Sequence, residues 1–138
     1  MDNLKVPPYN LEAEQSVLGS MLLSKDAVVV AADQLQPEDF YKESHRRIFE
    51  VIIKLYENRE PVDLITVTEA LRSSKLLEQV GGATYLTTLT ETVPTASNIA
   101  YYCKIVEEKS IIRRLINTTS SILSMAYDPE NDVESLLD

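Results

Sequence analysis

His45 is the one imidazole in the 138-residue chain, and Cys103 is the one thiol. A lone histidine acts as a general base, and a lone cysteine as a nucleophile, only where other groups orient and activate them. No serine here lies in a G-x-S-x-G turn, and one His with one Cys cannot furnish a structural zinc site. Gly19, Gly81 and Gly82 are the only glycines, and none precedes Lys-Ser or Lys-Thr at phosphate-loop spacing, so the chain holds no Walker A loop. Carboxylates are plentiful, but Glu38-Asp39 and Glu107-Glu108 read as solvent-facing pairs with no marked partner. His45 therefore reads as a hydrogen-bonded structural side chain and Cys103 as a small core residue. Gly81-Gly82 reads as a turn that needs backbone freedom. Arg113-Arg114 is a basic pair able to meet phosphate or an acidic partner, and a solvated face is its plainer reading.

The residues left to position are those of an interaction domain. The length suits one domain, and 44% hydrophobic residues argue against disorder. The net charge of −9 disfavours broad contact with phosphate backbones, where lysine and arginine displace counterions. A single cysteine excludes an internal disulfide, and the Met-Asp-Asn-Leu-Lys-Val-Pro-Pro start has no signal-peptide character. The longest apolar run, Ala27–Ala32, is far short of a membrane span, so a reducing cytoplasm is the expected compartment.

Periodicity and punctuation predict an all-α chain. Residues 1–9, with Pro7-Pro8, read as an extended arm. Asn10 caps a helix over Leu11–Leu23 whose Leu11, Val17, Leu18, Met21 and Leu22 share one side. Ser24 caps a second helix ending near Leu35, before the break at Gln36-Pro37-Glu38-Asp39. A third runs from about Lys42 to Glu57, with His45, Ile48, Phe49, Ile52, Leu55 and Tyr56 in one stripe. Asp63 caps a short helix carrying Leu64, Val67 and Leu71, and another follows over Ala83–Thr92. Phe40, Phe49 and His45 are assigned to the core.

The stretch from Ser97 to Tyr127 has no Gly or Pro and reads as helical. Its apolar stripe changes direction at Glu107-Glu108-Lys109-Ser110. Either a break falls there, or one helix leaves one core and enters another. From Ile111 to Tyr127 the apolar side chains span about 200°, where one packing face needs roughly 100°. That width predicts two neighbours, a hairpin partner and a different chain. Asp128-Pro129 turns the chain, Asn131 or Asp132 caps a new helix, and Val133–Leu137 reads as the returning arm of a hairpin, cut short. The organisation expected is an arm over 1–9, a globular helical head over 10–109, and a hairpin over 110–138 truncated in its second helix.

Seven stretches resemble, in order, the N-terminal domain of DnaB-type replicative helicases. They are Pro7-Pro8 with Glu12–Gly19, Pro37–Tyr41, His45–Phe49, Pro61–Val67, Gly81–Leu86, Val93–Asn98, and Ile105–Lys109 leading to Arg113–Ile116. The resemblance implies a globular bundle of about six helices followed by a helical hairpin. It also implies a non-catalytic role in subunit assembly, as the collar of a hexamer, and in docking the C-terminal helicase-binding domain of primase. ATP and Mg would belong to a motor domain that this sequence lacks, as would most contact with single-stranded DNA, and the chain itself would hold no cofactor. A helicase loader is a further possible partner, no membrane is expected, and the setting would be the bacterial cytoplasm at replication forks.

On this reading Ile112, Leu115, Ile116, Thr119, Ile122 and Leu123 form the subunit contact and part of the primase-facing surface. Arg113 and Arg114 pair with acidic groups on a partner. Tyr85, an aromatic at a loop–helix junction, serves as an interface anchor. The rivals are a stand-alone helical adaptor or loader-like accessory protein, a small carboxylate or His45 enzyme needing a pocket of convergent polar groups, and a DNA-binding module opposed by the negative charge.

Overall fold

The computed structural model describes residues 6–138, and among them every regular element is helical. The helices are α1 (Leu11–Leu23), α2 (Lys25–Gln34), α3 (Glu43–Glu57), α4 (Leu64–Ser73), α5 (Gly82–Thr92), α6 (Ile99–Tyr127) and α7 (Val133–Leu137), with 3₁₀ turns at Pro37–Asp39 and Ala96–Asn98. Of the arm expected over 1–9, residues 1–5 lie outside the described residues, and residues 6–10 carry no helix or strand.

The caps read from the sequence are formed. Asn10 accepts from Ala13 N at 2.9 Å and Ser24 from Ala27 N at 3.3 Å. Asp63 and Thr66 cap each other's backbone N–H reciprocally, at 2.9 and 3.0 Å. Of the two candidates for α7, Asp132 is the cap: it accepts from Ser135 N at 2.7 Å, and that bond holds its carboxyl below the usual range. α3 and α4 both end on a basic residue in the left-handed region, Arg59 at φ 60° and Lys75 at φ 61°. Each lies at a closed C-terminus, with Glu60 N donating to Leu55 O and Leu76 N to Leu71 O. A cation there also faces the negative end of the helix dipole, which offsets part of the cost of positive φ.

α1 departs from its expected one-sided pattern. Ala13, Glu14, Val17, Leu18, Gly19, Ser20, Met21 and Leu22 are all buried, so the helix is enclosed on nearly every side. It lies at the centre of the head, against α2, α3, α5 and α6. A helix enclosed in this way carries little amphipathic signal, and small residues replace part of the apolar stripe. Gly19 permits the α1–α5 approach: a Cβ there would sit 2.1 Å from the carbonyl oxygen of Leu89. Phe40, Ile48, Phe49, Ile52, Val67, Leu71, Leu86 and Leu89 complete the core. Tyr56, expected in the α3 stripe, is 39% exposed, because it falls in the last turn of α3, at the core's edge.

The reversal of the apolar stripe resolves in favour of one unbroken helix. α6 runs through Glu107-Glu108-Lys109-Ser110 without interruption, and its buried positions are Ile99, Cys103, Val106 and Ser110. From Ile111 onward its apolar side chains are exposed, and past Arg113 every residue of the helix is exposed.

Two outcomes follow from this packing. Gly19→Ala forces a methyl into the α5 backbone, which has no rotamer to yield, and should cost about 2–3 kcal/mol in urea unfolding. Burial, aided by the charge of Glu107, pushes the Cys103 thiol from 9.0 up to about 12. Its folded value is raised, so the stability it contributes is complete below pH 9 and is lost as pH climbs toward 12, where only the unfolded chain ionises readily. The alkaline loss of stability should therefore be smaller in Cys103→Ala, measured as unfolding midpoints against pH.

Candidate functional site

Two polar junctions bind the head together, and neither stands out in the sequence. The first is built on Glu14, which lies in the first turn of α1, where acids commonly face water. Here it is 1% exposed. Its carboxylate accepts from Tyr41 N at 2.6 Å and Lys42 N at 3.4 Å, and so caps α3 from another helix. Lys42, the residue at the α3 N-cap, supplies no side-chain cap of its own. His45 Nδ1 lies 2.7 Å from Glu14 Oε1, and Nε2 lies 2.6 Å from the Tyr85 hydroxyl, which also accepts from Gln15 Nε2 at 3.3 Å. The Tyr85 ring stacks on His45 and carries the Lys42 ammonium 5.0 Å from its centroid.

This arrangement makes His45 structural, as its place in the α3 stripe suggests. Both ring nitrogens have partners, and the residue is fully buried. A groove of about 530 Å³ is lined by Val28, Val29, Tyr56, Pro61 and Val62 with Lys25, Arg59, Glu60 and Asp63, and contains neither His45 nor Cys103. Among the described residues no cluster of His, Cys, Asp or Glu is placed to hold a metal ion. The geometry also moves Tyr85 away from its expected role. The structure places it in this half-buried cluster of the head, with its hydroxyl engaged internally, apart from the α6 residues it was grouped with.

The second junction lies at the root of the exposed half of α6. Asp39, read from the sequence as solvent-facing, is 9% exposed. One carboxylate oxygen accepts from Gln36 N at 2.8 Å and the other from Ser110 Oγ at 2.7 Å. Arg113, expected to reach for a partner, is turned onto its own head. Its Nη1 donates to Pro8 O at 2.8 Å and its Nη2 to Asp39 O at 2.7 Å. The guanidinium lies 5.5 Å over the Tyr41 ring, which stacks on Tyr9 at 4.4 Å and 9°. Burial pushes the Arg113 pKa below its ordinary value; Glu14 opposes this, and Arg46 adds to it. Arg114, by contrast, is exposed.

The remaining site residues lie together on the free half of α6. Ile112, Leu115, Ile116, Ile122 and Leu123 are each 42–61% exposed. Thr119 turns its hydroxyl back onto Leu115 O at 2.7 Å, which leaves its methyl for the surface. Met125 is 45% exposed, and α7 adds Val133 and Leu137, 71 and 81% exposed. The chain folds back at this end through Asn131 Nδ2, which donates to Met125 O at 3.1 Å. Covering the five α6 side chains is worth on the order of 5 kcal/mol before the cost of association. An exposed apolar strip of this size marks an interaction surface.

The chain is a small all-α domain with a long projecting apolar helix, and the comparisons give its family. Residues 6–108 match the family described as DnaB-like helicase N terminal domain, and the chain belongs to that family. It is 51% identical over 135 residues to the Replicative DNA helicase DnaC of Bacillus subtilis, covering 98% of this chain and 30% of that protein. Its fold matches the N-terminal domain of DnaB helicase from Mycobacterium tuberculosis with a TM-score of 0.91 and 44% identity, covering 95% of this chain and 94% of that one. It also matches the N-terminal domain of DnaB helicase from Helicobacter pylori, a structure described together with its interactions with primase, with a TM-score of 0.74 and 26% identity over 93% of this chain and all of that one. The chain thus spans about 30% of the length of the curated relative it matches.

The Glu14 junction carries a stability prediction. Glu14→Ala leaves the buried His45 Nδ1 and two part-buried backbone donors without their acceptor, and should cost about 3 kcal/mol. Glu14→Gln keeps the shape and one acceptor oxygen, and should cost about half as much in the same urea titration.

Proposed function

We propose that this chain is the assembly and primase-docking domain of a replicative DNA helicase. The observation that carries the reading is the free half of α6, a helix whose Ile112, Leu115, Ile116, Ile122 and Leu123 are held outward by a well-packed head. Membership of the DnaB-like N-terminal family supports it, as does the Helicobacter pylori domain described with primase. In this reading one side of the free half pairs with the same helix of a neighbouring subunit, in the collar of a hexamer. The other side, with α7, meets the C-terminal helicase-binding domain of primase. Thr119 lies between the two sets, and Arg114 sits at the polar margin, free for an acidic group on the partner.

ATP hydrolysis with Mg, translocation on single-stranded DNA and unwinding fall, in this reading, to the motor of the parent protein, and this domain works without a cofactor. A helicase loader is a further partner of the parent, and the setting is the bacterial cytoplasm at the replication fork. The net charge of −9 agrees with a domain that grips proteins while the motor grips DNA.

The test is calorimetric titration with the C-terminal domain of the cognate primase, alongside sedimentation of the chain alone. Saturable binding is expected, and Ile116→Asp with Ile122→Asp should weaken it at least tenfold, because each places a charge in the apolar contact. Primase binding that is unaffected by both substitutions, in a folded variant, would move the site off α6.

A further inference from the structure

The free half of α6 needs a fixed direction if it is to present its apolar strip, and its attachment is unusual. Up to Ser110 the helix is held by apolar packing through Ile99, Cys103 and Val106. Beyond it, Ile111, Ile112, Leu115 and Ile116 all face outward. The transition passes through four polar residues, Glu107-Glu108-Lys109-Ser110. From Ile111 to Tyr127 the helix extends about 25 Å, so a tilt of roughly 10° at its root moves the tip by roughly 4–5 Å. An isolated helix of that length is also marginal in water and tends to fray or hinge. What lies at the root is therefore magnified at the docking face.

That root is held by directional polar contacts. Arg113 spans two backbone carbonyls on different segments, Pro8 O at 2.8 Å and Asp39 O at 2.7 Å, while its flat face lies on Tyr41. One turn earlier, Ser110 holds the Asp39 carboxylate at 2.7 Å. The 3₁₀ turn that carries Asp39 is fixed in its own place by Gln36 N on the same carboxylate, and Tyr41 N is fixed by Glu14. The chain continues into the arm through Tyr9, stacked on Tyr41. Three segments distant in sequence meet at one guanidinium. A lysine ammonium has neither the fork to bridge two carbonyls nor the plane to stack, so the geometry is specific to arginine.

We infer that Arg113, with Asp39 and Ser110, is a positioning residue that latches the root of the free half of α6 to the N-terminal arm and the 37–41 loop and sets the direction of the docking face. The importance of that direction rests on the docking reading of α6; the latch itself does not.

The experiment uses the whole chain with paired spin labels on Glu91→Cys in α5 and Ser124→Cys on the polar side of α6, diluted with unlabelled protein so that only distances within one molecule are read. Cys103 is buried and stays unlabelled. A narrow distance distribution is expected for the chain with Arg113 and a broadened or displaced one for Arg113→Met, with Arg113→Lys failing to restore it. Hydrogen exchange of residues 108–118 should quicken about tenfold in Arg113→Met while α1 and α3 keep their protection. An unchanged distribution with unchanged exchange in 108–118 overturns the latch. So does loosening spread equally over α1 and α3, which would make Arg113 a general stability element. If Arg113→Met does not fold, the same readouts on Ser110→Ala decide it, with local loosening supporting the latch and no change overturning it. Neither readout involves primase, so loss of the docking reading and loss of the latch are separable results.

Discussion

α1 is the helix on which the others are assembled, and its packing depends on a missing methyl group. Gly19 lets the backbone of α5 approach until the Leu89 carbonyl occupies the space a side chain would take. That approach brings α5 and its Tyr85 close enough to share a hydrogen-bonded cluster with α1 and α3. The same helix carries Glu14, whose carboxylate supplies the α3 N-terminus with the acceptor its own residues do not provide. Apolar closeness on one side of α1 and a buried acid on the other thus fix three helices relative to one another.

A buried carboxylate is costly to desolvate and worth keeping only when its acceptor capacity is used. Glu14 meets that condition with two backbone donors and an imidazole, and Asp39 meets it with a backbone N–H and the Ser110 hydroxyl. Both acids bind segments far apart in the chain. They are directional where apolar contacts are not, and so fix the orientation of the segments they join. The head closes its apolar core around these contacts, and α6 and α7 carry a run of exposed apolar side chains beyond it.

The division of α6 follows from this. Its first half uses apolar positions to complete the head, and its second half leaves them exposed, with the change of face occurring over four polar residues in an unbroken helix. A helix serving two cores carries two stripes out of phase. Taken whole, it looks weakly amphipathic although each half is strongly patterned.

The sequence by itself determined the helical class, the caps at Asn10, Ser24 and Asp63, the Gly81-Gly82 turn, the core places of Phe40, Phe49 and His45, and the outward strip of α6. These depend on residues near one another in the chain, on capping chemistry and on a period of 3.6. Whether α6 breaks at Glu107–Ser110 was undecidable locally, because both outcomes bury the same residues. Tertiary structure alone decided what Glu14, Asp39, Tyr85 and Arg113 do. A charged or phenolic side chain reads as solvated until its partners are known, and here the deciding partners lie on other elements: Glu14 meets Tyr41 and His45, Asp39 meets Ser110, and Arg113 meets Pro8 and Asp39. Long-range polar contacts leave no period and no spacing in the sequence. Their acceptors are often backbone carbonyls, which every residue carries and which only folding brings to a particular guanidinium.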